Sequence, residues 1–225
     1  MTDSIHIYHG SVNIVEKPVF GQGKSYNDYG RGFYCTEHVE LAKEWACLSG
    51  SDGYANHYIL NIVGLNVLNL NEPKYNILNW LTILLENRKF NVADGMPQRA
   101  KAYLLENYMV DYKTYDVIIG YRANDSYFSY AGDFINGTLS LHALSEAMRL
   151  GKLGEQVVLK SKKAFESLTF VEAIKAPHEE YYAKYTTRDA DARDRYKQIA
   201  AQPMAENEIY MIDIIRKNWK NGQSL

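Results

Sequence analysis

Along Ser4-Ile5-His6-Ile7-Tyr8-His9, polar and apolar residues alternate. That is the period of a strand with one buried face, and Gly10 ends it. Residues 12–32 carry Gly, Asn and Asp in place of a periodic apolar face and read as loop. Residues 32–36 form a short apolar strand. It runs into a helix with Thr36 as cap, Glu37 and Glu40 in the first turn, and Val39, Leu41, Ala42, Trp45 and Ala46 on one face. Strands are predicted at 57–63 and 67–70. A strong helix follows at 75–88, where Ile77, Leu78, Leu81, Leu84 and Leu85 fall at helical spacing. Pro97 opens a second helix that covers 100–108. Next come a buried strand at 115–121, a long polar and aromatic loop at 122–138 with some helix in it, and a helix from a Ser140 cap to Gly151. The run Val157-Val158-Leu159 marks a strand at 155–160, and 168–174 is another strand-like stretch.

Beyond Pro177 the pattern changes. Residues 178–202 are charged and helix-prone, Pro203 breaks them, and 208–219 form a final amphipathic element. The chain divides into a main domain at 1–176 and a helical C-terminal extension at 177–225. Its strands and helices follow no regular βαβ alternation, which argues an α+β fold.

A length of 225 residues is one domain, or one with a sizeable elaboration. Hydrophobic residues at 46% and charged residues at 23% exclude a disordered chain, a collagen-like chain and a coiled coil. Runs such as Val117-Ile118-Ile119 fall far short of the roughly 20 apolar residues that span a bilayer. The start, Met1-Thr2-Asp3-Ser4-Ile5-His6, lacks the basic and apolar regions of a secretory signal. The expectation is a soluble, cytoplasmic protein with no membrane partner. A net charge of −2 lacks the basic excess of a constitutive nucleic-acid binder. Cys35 and Cys47 make neither a disulfide framework nor a metal cluster and read as small apolar residues. The 19 tyrosines suit a ligand cleft as well as ordinary strands.

Phosphate-loop, dinucleotide-fold, zinc-protease and nucleophile-elbow motifs are all missing, and the scattered histidines make no ligand cluster, so no metal is expected. Three stretches stand out together. Ile7-Tyr8-His9-Gly10-Ser11 is a strand ending on a histidine and a glycine. Tyr29-Gly30-Arg31-Gly32-Phe33-Tyr34-Cys35-Thr36 is a glycine-punctuated strand feeding the helix of Trp45. Leu153-Gly154-Glu155-Gln156-Val157-Val158-Leu159 puts one carboxylate at the mouth of an apolar strand. Each also has a plain structural reading: a strand end, a turn and a solvated glutamate.

In that order the motifs resemble the ADP-ribosyltransferase superfamily, in its branch with a His–Tyr–Glu triad. More narrowly, the chain resembles an uncharacterised bacterial family assigned to that superfamily. That likeness also takes in Tyr115-Asp116-Val117-Ile118-Ile119-Gly120-Tyr121-Arg122 and Asp125-Ser126-Tyr127-Phe128. The resemblance implies a split β-sheet core over 1–176, NAD as substrate, and a catalytic set of His9, Tyr34 and Glu155. His9 would bond the adenosine ribose and the Gly10 backbone would pair with the nicotinamide carboxamide. Tyr34 would stack on the nicotinamide ring, with Trp45 flanking it. Glu155 would hold the ribose 2′-hydroxyl and stabilise the cationic transition state. Ser11, Thr36 and Arg122 complete the implied binding set. Arg122 would meet the diphosphate through its fork. Where the superfamily often has a serine, this chain has Ala42, so Thr36 would supply a hydroxyl. Leu153 leaves no Glu-x-Glu, which argues against arginine as the modified group.

The implied activity is mono-ADP-ribosyl transfer to a protein or nucleic acid, as by the toxin of a toxin–antitoxin pair with a small antitoxin-like partner. NAD hydrolysis and an inactive binding module are the alternatives. Two segments keep open readings. Asp125, Ser126 and Tyr127 either line the acceptor side or lock a turn. Residues 188–197 form either a solvated, ion-paired helix or a docking surface for a protein partner or a lid on the cleft.

Overall fold

A computed structural model describes residues 3–89, 93–123, 125–150, 155–202 and 207–223. Among them the chain forms an α+β fold with two sheets and eight helices. It divides into two compact units, each gathered from separate stretches. Unit 1 comprises Met1–Asn69, Tyr112–Arg122 and Leu153–Arg188; unit 2 comprises Leu70–Asp111, Ala123–Lys152 and Asp189–Leu225.

Unit 1 holds both sheets. In the first, β1 (Ser4–Ser11), β3 (Gly53–Asn61) and β7 (Leu168–Ala176) lie side by side and antiparallel. The second has the order β2 (Phe33–Cys35), β6 (Glu155–Leu159), β5 (Val117–Tyr121), β4 (Val67–Asn69), with only β4 and β5 parallel. Ile7, Tyr58 and Leu60 from the first sheet meet Cys35, Val117, Val157 and Leu159 from the second in one core, closed by Ala164 of α6 (Lys162–Glu166). The sheets touch edge to edge at one antiparallel bridge. Tyr8 N donates to Thr36 O at 2.7 Å, and Thr36 N donates to Tyr8 O at 3.0 Å.

α1 (Val39–Ala46) packs on β1 and β3 and buries Leu41, Ala42, Glu44 and Ala46. Its close approach depends on Gly10. A Cβ there would stand 2.1 Å from Ala42 O and 2.9 Å from Ala46 N. Thr36 is not its cap, as the sequence leads one to expect; His38 is, without a side-chain cap bond. Thr36 Oγ1 instead accepts from His38 N at 3.2 Å, a local turn that ends β2 before the helix begins. α7 (His178–Ala200) belongs to unit 1 up to Arg188 and to unit 2 from Asp189.

Unit 2 is helical: α2 (Ile77–Asn87), α3 (Met96–Asn107), α4 (Asp125–Ile135), α5 (Leu141–Ala147), the second part of α7, and α8 (Met211–Arg216). A reciprocal Asn76–Asn79 capping box starts α2, and its apolar stripe includes the fully buried Trp80. Ser140 caps α5 by accepting from Ala143 N. α4 is the helix expected within the loop at 122–138, and it takes up most of that stretch. Tyr130, Ala131, Phe134 and Ile135 recur at helical spacing and are all buried, so packing overrides the turn-like Asp, Ser and Gly between them. Gly151, expected to end α5, lies outside the described residues. So do the side chains of Asp125, Ser126 and Tyr127.

Candidate functional site

Strand alternation sorts the residues singled out in the sequence onto two sides of one strand edge. In β1, His9 continues the row of Ile5 and Ile7 that faces the core. In β6, Glu155 continues the core-facing row of Val157 and Leu159. The bridge Tyr8↔Thr36 puts Tyr8 and Thr36 on the other side, and with them Gly10 and Tyr34, two residues on in each strand. That is the side on which α1 lies, because Gly10 faces Ala42, Trp45 and Ala46. The structure therefore brings Tyr34 and Trp45 to the α1 side, and His9 and Glu155 to the core side. It does not bring Tyr34 and Glu155 onto one face.

Among the described residues, the edge between these sides has no backbone hydrogen-bond partner at Gly10. Backbone groups of residues two apart in a strand point the same way. Those of Tyr8 point at Thr36, so those of Gly10 point away from β3, past the end of the bridge. The absent side chain at Gly10 makes room for α1, while the peptide edge faces past the bridge between the sheets.

His9 links the first two motifs. Its Nδ1 lies 2.8 Å from Tyr34 O. A carbonyl only accepts, so Nδ1 carries the proton and Nε2 is left as an acceptor. Burial lowers the His9 pKa below its ordinary value, against the smaller opposing effect of the Tyr34 carbonyl. The ring also packs on Phe33, with centroids 4.3 Å apart. Tyr34 is fixed at its tip: the hydroxyl donates to Gly30 O at 2.5 Å and accepts from Tyr29 N at 3.1 Å. Gly30 has φ 74°, a left-handed conformation that glycine adopts without strain.

On α1, Trp45 is half-buried and its Nε1 is shielded from solvent with no acceptor among the described residues. Its ring lies under the Arg122 guanidinium, 4.2 Å from carbon to centroid. Arg122 directly follows Tyr121, the residue that opposes Glu155 across β5 and β6. The end of β5 thus connects the Trp45 side with the start of β6. Two further expected residues are engaged locally. Ser11 Oγ donates to Asn13 O at 2.6 Å, and Thr36 is fully buried behind its turn. Gln156 faces away from Glu155, as alternation predicts, and donates to the buried Asp28 at 3.3 Å.

Sequence reasoning missed Asn56. It is fully buried in β3 opposite His9. Its Nδ2 donates to Ser11 Oγ at 3.0 Å and His9 O at 3.1 Å, and its Oδ1 accepts from Val15 N at 2.8 Å. Tyr58 adds a hydroxyl bond to Val15 O. Together they fix the chain leaving β1. Lys160 does the same for the glycine turn, donating to Tyr29 O at 2.5 Å and Arg31 O at 2.6 Å, while burial brings its pKa down to about 8. An asparagine inside the run Ala55-Asn56-His57-Tyr58 was the available signal for the first.

Among the described residues no cluster of three His, Cys, Asp or Glu side chains could hold a metal, and no helix is long and apolar enough to cross a membrane. No curated protein and no solved structure matches the chain. A family model does match, over residues 5–170, which takes in β1, α1, β6 and every residue named above as a site candidate; the chain belongs to this family, DUF3990, described as proteins of unknown function.

Proposed function

We propose that the protein is an NAD-dependent mono-ADP-ribosyltransferase. The observation that carries this reading is the open peptide edge of Gly10, with two aromatic rings on one side and a histidine and a carboxylate on the other. An amide edge of this kind matches the donor and acceptor of a carboxamide. Tyr34 and Trp45 offer apolar faces to the ring that bears it, and Trp45 Nε1 offers a donor. His9 Nε2 is an acceptor for a ribose hydroxyl because Tyr34 O holds the proton on Nδ1.

Loss of nicotinamide from NAD needs no strong acid, since the leaving group departs neutral. It needs the ring held and negative charge where the ribose becomes cationic. Glu155 supplies that charge on the core side. The acceptor is a protein or a nucleic acid, and the setting that fits a small bacterial transferase is a toxin held by an antitoxin-like protein partner.

The test is Glu155→Gln, followed by nicotinamide release. The kcat should fall roughly 10²–10³-fold with NAD affinity little changed, because the charge acts mainly in the transition state. An unchanged kcat in the folded variant removes Glu155 from the mechanism. Release by the unsubstituted protein without label transfer to cell protein or RNA makes water the acceptor. Binding without release makes the protein an NAD-binding module.

A further inference from the structure

We propose that the first half of α7 is a positioning clamp for α1, acting through the Glu44–Arg188 ion pair, so that a segment beyond the family match sets the Trp45 side of the site. The proposal rests on the NAD reading only where turnover is its readout. α1 has eight residues and no side-chain cap at its start. So short a helix has no fixed position without tertiary contacts. One side of it rests on Gly10 through Ala42, Trp45 and Ala46.

The other side is held by α7 and the end of β7. Glu44 is only 6% exposed and pairs with Arg188. The Tyr181 hydroxyl accepts from Lys43 Nζ at 3.0 Å and donates towards Glu40 Oε2 at 3.2 Å. Lys43 and Lys184 lie over the Tyr181 ring, and Cys47 Sγ donates to Ala176 O at 3.4 Å.

A carboxylate as enclosed as Glu44 requires a cationic partner. Its neighbour on the helix is Trp45, whose ring lies against Arg122. Displacing Glu44 therefore moves Trp45 relative to both Arg122 and Gly10. Arg188 pairs with Glu44 on α1, so it acts through α1.

The chain has three tryptophans, Trp45, Trp80 and Trp219, and labelling them with 5-fluorotryptophan gives one fluorine resonance each. In Arg188→Met the Trp45 resonance should shift while those of Trp80 and Trp219 stay in place. The KM for NAD should rise roughly tenfold with a smaller change in kcat, a coupling of the size that packed networks transmit. Adding Glu44→Gln removes the stranded charge and should bring back most of both changes. Glu44→Gln alone, which strands the Arg188 charge where its side chain is 18% exposed against 8% for Glu44, is the variant to use if Arg188→Met does not fold; it should shift the Trp45 resonance less. An unmoved Trp45 resonance in folded Arg188→Met overturns the clamp. Shifts at all three tryptophans without rescue also overturn it, since they report general loss of structure. If the unsubstituted protein releases no nicotinamide, the NAD reading fails, and the Trp45 resonance still decides the clamp.

Discussion

Unit 1 and unit 2 both enclose large aromatics, but they use buried polar groups differently. In unit 2, Asn79 donates to Tyr108 O, and the hydroxyls of Tyr103 and Tyr108 both donate to Trp219 O, so polar side chains tie helices to the chain that follows them. Tyr130 stacks on Tyr196 at 3.6 Å, and Tyr196 bonds Asp133, in the same role. In unit 1, Asn56, Tyr58, Tyr34 and Lys160 hold irregular backbone at 13–15 and 29–31, the chain that leaves β1 and the turn that leads into β2. Those segments flank Gly10 and Tyr34. Irregular backbone held this firmly is what a binding edge requires, because groups that meet a ligand must already be in place. On the proposed reading, the difference gives recognition to unit 1 and support to unit 2.

The largest expected effect tests the supporting role. Trp80 is fully buried in α2, so Trp80→Ala should cost about 3–5 kcal/mol of stability, read from denaturant unfolding. In the fraction that remains folded, NAD affinity should be unaltered. An affinity that falls with Trp80 would break the division of labour.

A glycine in each unit sharpens the contrast. Gly10→Ala drives a methyl group against the Ala42 carbonyl, and a backbone atom yields less readily than a side chain. The expected cost is about 3 kcal/mol. It should come with a shift of the Trp45 fluorine resonance, since α1 must lift. Gly137 in unit 2 has φ 79° and nothing within 4 Å of an added Cβ. Gly137→Ala should cost only about 1–2 kcal/mol, from backbone strain alone. Equal costs at the two positions would mean that α1 gives way freely and that the crowding at Gly10 has no bearing on the site.

The parts legible in the sequence are those written in local periods. β1, β2 and β6 follow from alternation and apolar runs, and they carry His9, Tyr34 and Glu155 to the sides they occupy. The hidden parts depend on contacts between distant residues. Arg122 lies over Trp45, a pairing that no spacing encodes. The strand predicted from His57 in fact begins at Gly53 and encloses Asn56, a residue rare in strands. The extent of α4 was hidden by turn-forming residues, although Tyr130, Ala131, Phe134 and Ile135 carry its period. Along 188–197, the solvated reading fits Arg193, Asp194 and Lys197, which make local ion pairs. It fails for Arg188, paired with Glu44, and for Tyr196, stacked on Tyr130, because both anchor α7 by contacts far away in sequence.

The smallest expected effect is one of pH, and it belongs to unit 1. Burial lowers the pKa of His9, and burial with the nearby His6 lowers that of His57, against the opposing pull of Glu172. A histidine whose folded pKa lies below its unfolded value of about 6.5 leaves stability untouched above that pH. As the pH falls below it, the unfolded chain binds a proton that the folded chain refuses. Stability then drops, by at most about 1.4 kcal/mol per pH unit for each histidine, until the folded pKa is passed. Urea unfolding between pH 7.5 and 5.5 should show this slope, and His9→Gln and His57→Gln should each remove part of it. NAD binding should respond later in the same titration. In the proposed site it uses Nε2 of His9 as an acceptor, which survives until the folded histidine itself takes up a proton. Affinity should therefore hold at pH values where stability has already begun to fall, and only then decline. Affinity that falls first, or that is unmoved in His9→Gln, would take His9 out of the binding edge and leave it as a core residue tied to Tyr34.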